Sequence, residues 1–315
     1  MTRPQVTALL PIKNGEKYVD RIMENVIECT KSDDEILVIN DHSTDSTAQL
    51  LSRWESKFSR VRIINPEKNG LVNALNLGVE EAKHEWIARF DCDDIYKSDR
   101  IDRQMSLVSE NVVGIFCDYM IVDPENHNLG LMPSPISPTA TRLSLWRNAR
   151  TAHPSVILKR TSVLQVGGYS EDDYLAEDLS LWLRLSKLGD LISLPETLLN
   201  YSLNPKSITG TRYAESKAKA REIYRNNGSD LEFVRKAIRE FDSQISNYSR
   251  YTLKNERSLH HYLDVIANSI IFKLPKRELL RFMAIKFKFK YFIFGATFLK
   301  KKISRKFVRV INPKD

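Results

Sequence analysis

Apolar and polar positions follow two different periods along the first two-thirds of the chain. Runs rich in Val, Ile and Leu predict strands at residues 6–10, 35–40, 61–64, 86–90, 114–119 and 155–158. Between the first four runs, apolar residues at helical spacing predict helices at residues 16–28, at about 46–56 and at 70–82. Ser43, Thr44 and Asp45 are the candidate caps of the second helix. This alternation is typical of an α/β fold in which a mostly parallel sheet is flanked by helices on both faces.

Ligands of such sheets bind beyond the carboxyl ends of the strands, so acidic residues there are candidates for function. Asp91, Asp93 and Asp94 follow the fourth predicted strand. Crowded carboxylates leave oxygens for a hard cation such as Mg²⁺ or Mn²⁺, although a solvated loop that caps the next helix would look the same. Cys92 lies among them, and we expect its thiol to have a raised pKa and to be a poor nucleophile.

Two other acidic sites lie at the ends of predicted elements. Asp41 closes the second strand, where it would accept hydrogen bonds from a nucleotide or cap the next helix. Glu177 and Asp178 begin a helix, either as acids favoured by the helix dipole or as a general base beside a pocket. Residues 11–15, Pro-Ile-Lys-Asn-Gly, replace a Gly-x-Gly-x-x-Gly turn after the first strand, which argues against a dinucleotide-binding dehydrogenase.

Length and composition place the chain among ordinary globular proteins. Its 315 residues are 42% hydrophobic and 28% charged, enough for one large domain and an appendage. The three cysteines lack the spacing of a disulfide framework, which indicates reduced thiols in a cytosolic setting. No apolar run approaches the roughly 20 residues of a membrane span. The start of the chain is too polar for a signal peptide, so we expect a protein that does not cross a membrane.

The net charge of +8 is concentrated in a C-terminal tail. Residues 276–315 contain thirteen Lys or Arg and two acids, a net +11, so the rest of the chain carries −3. An acidic body argues against nucleic-acid binding. In the tail, Phe and other apolar residues recur every three or four positions with Lys between them, which predicts a helix on an anionic membrane surface. A helical hairpin on the protein body or a homo-oligomer interface is the alternative.

Taken together and in order, these segments resemble the family 2 glycosyltransferases of the GT-A fold over about residues 4–210. The family usually has Asp-Asp-Gly-Ser-Thr-Asp where residues 40–45 are Asn-Asp-His-Ser-Thr-Asp, and an Asp-x-Asp region where residues 91–94 are Asp-Cys-Asp-Asp. The other matching segments are residues 10–15, 69–76, 167–169 and 176–182. The resemblance implies a catalytic domain at 1–210, with a nucleotide-sugar half at about 1–97 and an acceptor half at about 98–210, followed by a helical basic region at 211–315.

The resemblance also implies a reaction and its residues. A sugar would move, with inversion, from a nucleoside diphosphate, usually UDP, to a hydroxyl of a glycan or lipid-linked glycan. The roles implied are Asp178 as catalytic base supported by Glu177; Asp93 as ligand of Mn²⁺ or Mg²⁺; Pro11 and Asp41 at the nucleobase; Asp91 near the ribose and donor sugar; and Gly168, Tyr169 and Trp182 on the acceptor side. Such an enzyme would work in the cytoplasm, peripherally on the inner face of the plasma membrane.

Two positions depart from the family pattern. Asn40 replaces the first of the paired acids, and Asn204 stands where many relatives have a His near the metal or diphosphate. Lys206 or Arg212 is expected to contact phosphate instead. The alternatives are a catalytically degenerate accessory or binding subunit on the same fold, and a sugar-phosphate nucleotidyltransferase. The latter normally carries a Gly- and Lys-rich phosphate loop near its N-terminus, which this chain lacks.

Overall fold

A computed structural model of the chain describes residues 3–135, 138–145, 151–204 and 207–226. The strands of this part form one sheet and are β1 (Val6–Ile12), β2 (Glu35–Asn40), β3 (Val61–Ile64), β4 (Trp86–Arg89), β5 (Ile95–Tyr96), β6 (Val112–Val122), β7 (Asn128–Met132), β8 (Ile157–Lys159) and β9 (Asp190–Ser202). The helices are α1 (Val19–Cys29), α2 (Thr47–Lys57), α3 (Leu71–Glu81), α4 (Arg100–Met105), α5 (Pro138–Leu145), α6 (Arg160–Gln165), α7 (Glu177–Leu188), α8 (Ile208–Thr211) and α9 (Tyr213–Asn226).

The sheet is mixed, and the prediction of a mostly parallel sheet is correct only for its first half. The strand order is β3-β2-β1-β4-β8-β6-β9-β5, and β7 pairs with β6. The pairs within β3-β2-β1-β4 are parallel, as helical crossovers require. β8 is antiparallel to both β4 and β6, and β6 and β7 form an antiparallel hairpin. Short connections without a helix, such as the turn between β6 and β7, permit antiparallel pairing.

Each face of the sheet covers its own hydrophobic core, because side chains alternate along every strand. In β1, Leu10 and its same-face neighbours join a core with α1, α2 and α4, whereas Leu9 joins a second core with α3, α6 and α7. Trp182 of α7 and Phe116 of β6 are fully buried in that second core. The two cores fix the sheet between two helical layers and thereby position the loops at its edge.

Three strands were absent from the sequence prediction. β5 is two residues long, and β7 is a mostly exposed edge strand, so neither produces a buried apolar run. β9 is long but contains Pro195 and Glu196, and its pairing with β6 is irregular near Cys117 and Asp118. A shifted register breaks the period-two pattern that reveals a strand in sequence. The predicted strand at 155–158 is found as Ile157–Lys159, after a short 3-10 turn.

The chain after β9 returns to the sheet as helices α8 and α9. Ile223 of α9 is buried in the second core, and Tyr224 packs against it. Ser216 donates a hydrogen bond of 2.7 Å from Oγ to the carbonyl of Leu175, just ahead of α7. Among the described residues, no helix is both long and apolar enough to span a bilayer. The basic tail at 276–315 and Lys206 lie outside the described residues, so their predicted roles stay predictions.

The start of β1 is held by a buried ion pair between Arg3 and Asp34. Asp34 Oδ1 also accepts the Val6 amide at 2.9 Å, and Oδ2 accepts the Lys31 amide at 2.8 Å. The Asp34 side chain is 0% exposed. Although burial alone would raise the pKa of Asp34, the bonds from Arg3 and the two amides hold it below its ordinary value. A single carboxylate therefore joins β1 to the loop before β2.

We predict that Asp34→Asn destabilises the protein by about 3 kcal/mol at pH 7, because it removes one partner of a buried ion pair. A pKa lowered by folding stabilises above the unfolded value, near 3.8, and the contribution disappears as the pH falls through the folded value. The difference in free energy of unfolding should therefore shrink below about pH 3.5. Denaturant titrations at pH 7 and pH 3 measure it, with exposed Asp33→Asn as control. Equal losses for both variants would contradict this role.

Candidate active site

The carboxyl ends of four strands lie along one edge of the sheet. β1, β2 and β4 are parallel, and β9 is parallel to β6. Because β8 is antiparallel to both β4 and β6, β4 and β9 point the same way. Asp41 after β2, Asp91 after β4 and Asn204 after β9 therefore share an edge, which is where ligands of such sheets bind.

Asp41 is buried and faces the start of α3. Its Oδ1 accepts the Gly70 amide at 2.9 Å, and its Oδ2 lies 3.4 Å from Lys13 Nζ. Gly70 has φ +124°, which is readily available to glycine alone. Pro11 is buried in β1 and pairs with Ile39, one strand away. Asp41 therefore does not cap α2, and the predicted nucleotide-binding role is compatible with its surroundings.

Asp91 is oriented by two neighbours from opposite sides. Its carboxylate Oδ1 lies 2.7 Å from Arg89 Nη1, and its backbone amide donates to Tyr96 Oη at 2.7 Å. The Asp91 side chain remains 31% exposed. Because Arg89 engages Oδ1, Oδ2 of Asp91 remains available to a ligand.

Asp94 has a different environment although it is close in sequence. It is buried, its Oδ1 accepts the Ser202 amide at 2.8 Å, and its Oδ2 has no hydrogen-bond partner among the described residues. Burial and the charges of Asp91 and Asp93 raise the pKa of Asp94 well above its usual range. This acid joins the start of β5 to the end of β9 and thereby brings residues 202–204 to the site.

Asp93 contacts Asn204, the residue that stands where many relatives have a His. Burial and the charge of Asp91 raise the pKa of Asp93, whereas a hydrogen bond with the Asn204 side chain lowers it. Arg21 supports the loop by donating to the Asp93 carbonyl at 3.0 Å. Burial and the three adjacent carboxylates raise the pKa of the Cys92 thiol to about 12, in the predicted direction. That Cys92 is a poor nucleophile stays a prediction.

Glu177, which is buried, and Asp178, which is half-buried, form an acidic pair at the start of α7. Burial and the charge of Asp178 raise the pKa of Glu177 to about 7. Burial also raises the pKa of Asp178, although the Leu179 amide, 2.6 Å from Oδ1, opposes the rise. Leu175 just before them has φ +78°, an uncommon backbone for a residue with a branched side chain. The pair has the raised proton affinity expected of a general base in a partly enclosed site.

The turn containing Gly168 and Tyr169 is tied to α3 by one side chain. Asn76 Nδ2 donates to the Tyr169 carbonyl at 2.9 Å, and the Tyr169 amide donates to Asn76 Oδ1 at 2.7 Å. Gly168 has φ +67°, and a Cβ there would lie 2.6 Å from Asn76 Oδ1. Only glycine fits this approach, so the sequence Gly-Tyr reflects a backbone requirement.

Trp182 lies behind this turn and not on the surface of the site. It is 0% exposed and packs edge-to-face against His153, with ring centroids 5.7 Å apart. His153 Nε2 is 2.9 Å from Tyr169 Oη. Burial and the charge of Arg89 lower the pKa of His153 well below its usual range, so this imidazole is neutral. Trp182 thus supports the predicted acceptor side from the core.

Arg89 is the functional candidate that sequence reasoning missed. It is the last residue of β4 and is 3% exposed. Its guanidinium pairs with Asp91, and its positive charge also acts on Tyr169, Glu177 and Asp178. The available signal was a cation inside the apolar run 86–90 directly before the acidic loop.

The predicted phosphate contacts are less directly supported. Arg212 forms an ion pair with Glu215 and lies over the Tyr174 ring, 5.6 Å from its centroid. A phosphate contact would require this ion pair to open, and the role stays a prediction. Asn40 uses its amide to donate to Asn65 Oδ1 at 2.9 Å, a bond that the family's usual Asp could not make when ionised.

The donor set at Asp93 fits a divalent cation that is also bound by a ligand. Carboxylate and side-chain amide oxygens are suitable for Mg²⁺ or Mn²⁺. Asn204 donates its amide N–H to the Asp93 carboxylate, so its amide oxygen would have to turn toward the cation to join Asp93 as a ligand. Within the described part of the chain, three potential ligand atoms lie within 4.8 Å of one another only at Asp123, Glu125 and His127, in the β6–β7 turn. A cation at Asp93 would therefore need oxygens from a bound diphosphate.

Comparison with known proteins identifies the family. The model described as Glycosyl transferase family 2 matches residues 7–167, just over half of the chain. The chain belongs to glycosyl transferase family 2. This glycosyltransferase is 28% identical to the amylovoran biosynthesis glycosyltransferase AmsE of Erwinia amylovora, over 61% of this chain and 74% of that protein.

Two further relatives describe the range of the resemblance. The UDP-Gal:alpha-D-GlcNAc-diphosphoundecaprenol beta-1,3-galactosyltransferase of Escherichia coli is 24% identical, over 71% of this chain and 85% of its own. The fold matches that of the mannosyltransferase PcManGT from Pyrobaculum calidifontis, solved with GDP-Man and Mn2+, with a TM-score of 0.58 and 16% identity, over 92% of this chain and 81% of that chain. These findings confirm the resemblance to family 2 glycosyltransferases; the sheet is mixed, as described above.

We predict that Glu177→Gln stabilises this glycosyltransferase at alkaline pH. A carboxyl whose pKa rises from 4.5 to about 7 on folding costs stability as the pH increases through that window. The variant should therefore gain about 3 kcal/mol at pH 8, or several degrees in Tm, and little at pH 4.5. Thermal unfolding between pH 4.5 and 8 measures this, with exposed Glu171→Gln as control. A gain that does not depend on pH would contradict the assigned pKa shift.

Proposed function

We propose that this glycosyltransferase moves a sugar from a UDP-sugar to a hydroxyl of a glycan or lipid-linked glycan, with inversion at the anomeric carbon. One observation supports it most strongly. Asp178 at the start of α7 interacts electrostatically with Asp91, at the sheet edge that also carries Asp41 and Asp93. Carboxylates proposed to bind the donor and the carboxylate proposed as the base therefore belong to one site.

The donor nucleotide would bind at the ends of β1 and β2. Asp41 would accept the N–H of the uracil ring through Oδ2, since its Oδ1 is engaged by Gly70. Pro11 would border the ring, and Asp91 would accept from the ribose and the donor sugar. The name of the Escherichia coli relative specifies a UDP-linked donor and a lipid diphosphate acceptor, which supports both parts of this proposal.

Asp93 would hold a divalent cation together with the donor diphosphate. When bound, such a cation neutralises the negative charge that develops on the leaving diphosphate. Asn204 lies beside Asp93 and offers a neutral oxygen where many relatives are expected to have an imidazole. The mannosyltransferase PcManGT, whose fold this chain matches, was solved with Mn2+, so Mn²⁺ is a reasonable first metal to test.

Asp178 would act as the base. The acceptor oxygen forms a bond to the anomeric carbon while the bond from that carbon to the diphosphate oxygen breaks, and the acceptor proton moves to the Asp178 carboxylate. Glu177 would bind the acceptor hydroxyl or share the proton. Proton removal of this kind typically contributes about 100- to 10,000-fold to the rate. Gly168 and Tyr169 would border the acceptor, with Trp182 holding them in place.

One observation keeps a second function in view. The Asn204 side chain cannot replace a histidine as a metal or phosphate ligand of the same strength, so a binding subunit without turnover is the alternative. The two proposals differ in whether the site cleaves its donor.

We predict that the parent protein slowly hydrolyses one UDP-sugar in a metal-dependent way. Asp93→Ala should abolish the Mn²⁺-dependent hydrolysis. Asp178→Asn should lower turnover about 100- to 10,000-fold while donor affinity stays within about twofold. Coupled assays of UDP release, with calorimetry of UDP-sugar binding, measure both quantities across a donor panel.

Asp172→Asn serves as a matched control, because this carboxylate is exposed and lies six residues from Asp178. It should leave turnover unchanged. Donor binding without cleavage in the parent protein would favour the accessory-subunit alternative. Turnover that survives Asp178→Asn would remove Asp178 as the base.

A further inference from the structure

Arg89 is a buried cation at the meeting point of two acidic groups. Asp91, Asp93 and Asp94 follow it in the chain, and Glu177 and Asp178 face it from α7. Carboxylates in a partly buried site repel one another and cost free energy unless a positive charge or hydrogen bonds compensate. Among the described cations, Arg89 is the one whose charge acts on both Asp91 and the α7 pair.

The backbone of Arg89 is fixed from both sides. Its amide donates to the Val156 carbonyl at 3.0 Å, and its carbonyl accepts from Arg100 Nη1 at 2.9 Å. The position of the Arg89 side chain is therefore set by the sheet and by α4. A side chain anchored to rigid elements can orient a neighbouring carboxylate with little loss of entropy.

The guanidinium of Arg89 is not saturated by the protein. Nη1 contacts Asp91 Oδ1 at 2.7 Å and the Phe90 carbonyl, whereas Nε is buried and has no partner among the described residues. A guanidinium has five N–H donors, and leaving one unpaired in the interior costs about 1–3 kcal/mol. The free Nε donor therefore remains available to a water molecule or a bound ligand beside Asp91.

We propose that Arg89 is a positioning residue whose buried charge holds Asp91 toward the donor and keeps the α7 pair ready to accept a proton. The inference rests on the proposed function, because it assumes that Asp178 is the base. Arg89 itself need not touch either substrate. It would act through Asp91 on the donor side and through the electrostatic field on the acceptor side.

Among the described residues, the charged and titratable groups that interact with Asp178 are Arg89 and Asp91 at the end of β4, Glu177 on α7, Tyr169 in the preceding turn and Tyr224 on α9. Arg89 is the one cation in this described set. Its loss should raise the pKa of the acidic pair, so that activity begins at a higher pH.

The test compares the pH dependence of kcat/KM for Arg89→Gln, Arg89→Lys and the parent protein. Arg89→Gln should shift the acidic limb of the kcat/KM profile to higher pH by about one unit. An opposite charge lowers a carboxyl pKa by about 1–3 units at close range, and Arg89 acts on Asp178 from beyond ion-pair distance. Arg89→Lys keeps the charge but loses the planar fork, so the limb should stay in place while the donor KM rises several-fold.

Arg160→Lys and Arg160→Gln form the control pair. Arg160 is half-buried and donates to the Val79 and Glu80 carbonyls at 2.8 and 2.7 Å, and its charge is not among those that act on Glu177 or Asp178. Its variants should lose stability without a shift of the acidic limb. If Arg89→Gln and Arg160→Gln give the same limb, Arg89 is a structural residue and the inference is overturned.

The outcome can be separated from failure of the proposed function. If Asp178→Asn abolishes turnover but Arg89→Gln leaves the limb unchanged, only the inference about Arg89 fails. If Asp178→Asn retains turnover, the assignment of the base fails first. Should Arg89→Gln not fold, Arg89→Lys decides, because an unchanged donor KM in that variant would overturn the positioning role.

Discussion

Repulsion between like charges is the constraint that shapes this end of the sheet. Five carboxylates from two distant segments meet here, and burial, together with the charges of neighbouring carboxylates, raises the pKa values of four of them. The fold tolerates the repulsion by using backbone amides as fixed donors, from Ser202 to Asp94 and from Leu179 to Asp178. A free energy cost is thus concentrated at the one place where a cationic or proton-bearing ligand would relieve it.

The mixed sheet makes this arrangement possible. The parallel half presents the ends of β1, β2 and β4 side by side, as expected for a nucleotide site. The second half returns through β8 and β6 and adds β9 with the same polarity, so that one edge serves both halves. The hydrogen bond between Asp94 and Ser202 closes the connection. The segments proposed to bind donor and acceptor therefore belong to one continuous sheet.

Sequence reasoning predicted the features that depend on local pattern. The apolar runs of β1 to β4 and the acidic residues at their ends were identified because burial and strand length leave a clear signal. β9 could not be predicted, since an irregular register near Asp118 hides its alternation. Arg89 was missed because a single cation in a buried run gives no periodic signal. Its interaction with Asp178, about 90 positions away in the chain, is visible only in the structure. Trp182 was placed on the acceptor side, yet helical spacing cannot distinguish a face toward ligand from a face toward the core.

The contact between α9 and the turn before α7 has a consequence for recombining this chain with its relatives. Ser216 bonds the Leu175 carbonyl, and Ile223 completes the core beneath the acidic pair. A chimera joined at the end of β9 would pair one parent's turn with another parent's helix and leave apolar surface mismatched. A junction placed after Asn226 keeps these partners from one parent. The helices that follow the sheet therefore belong with the turn before α7, and segment swapping should treat residues 167–226 as one unit.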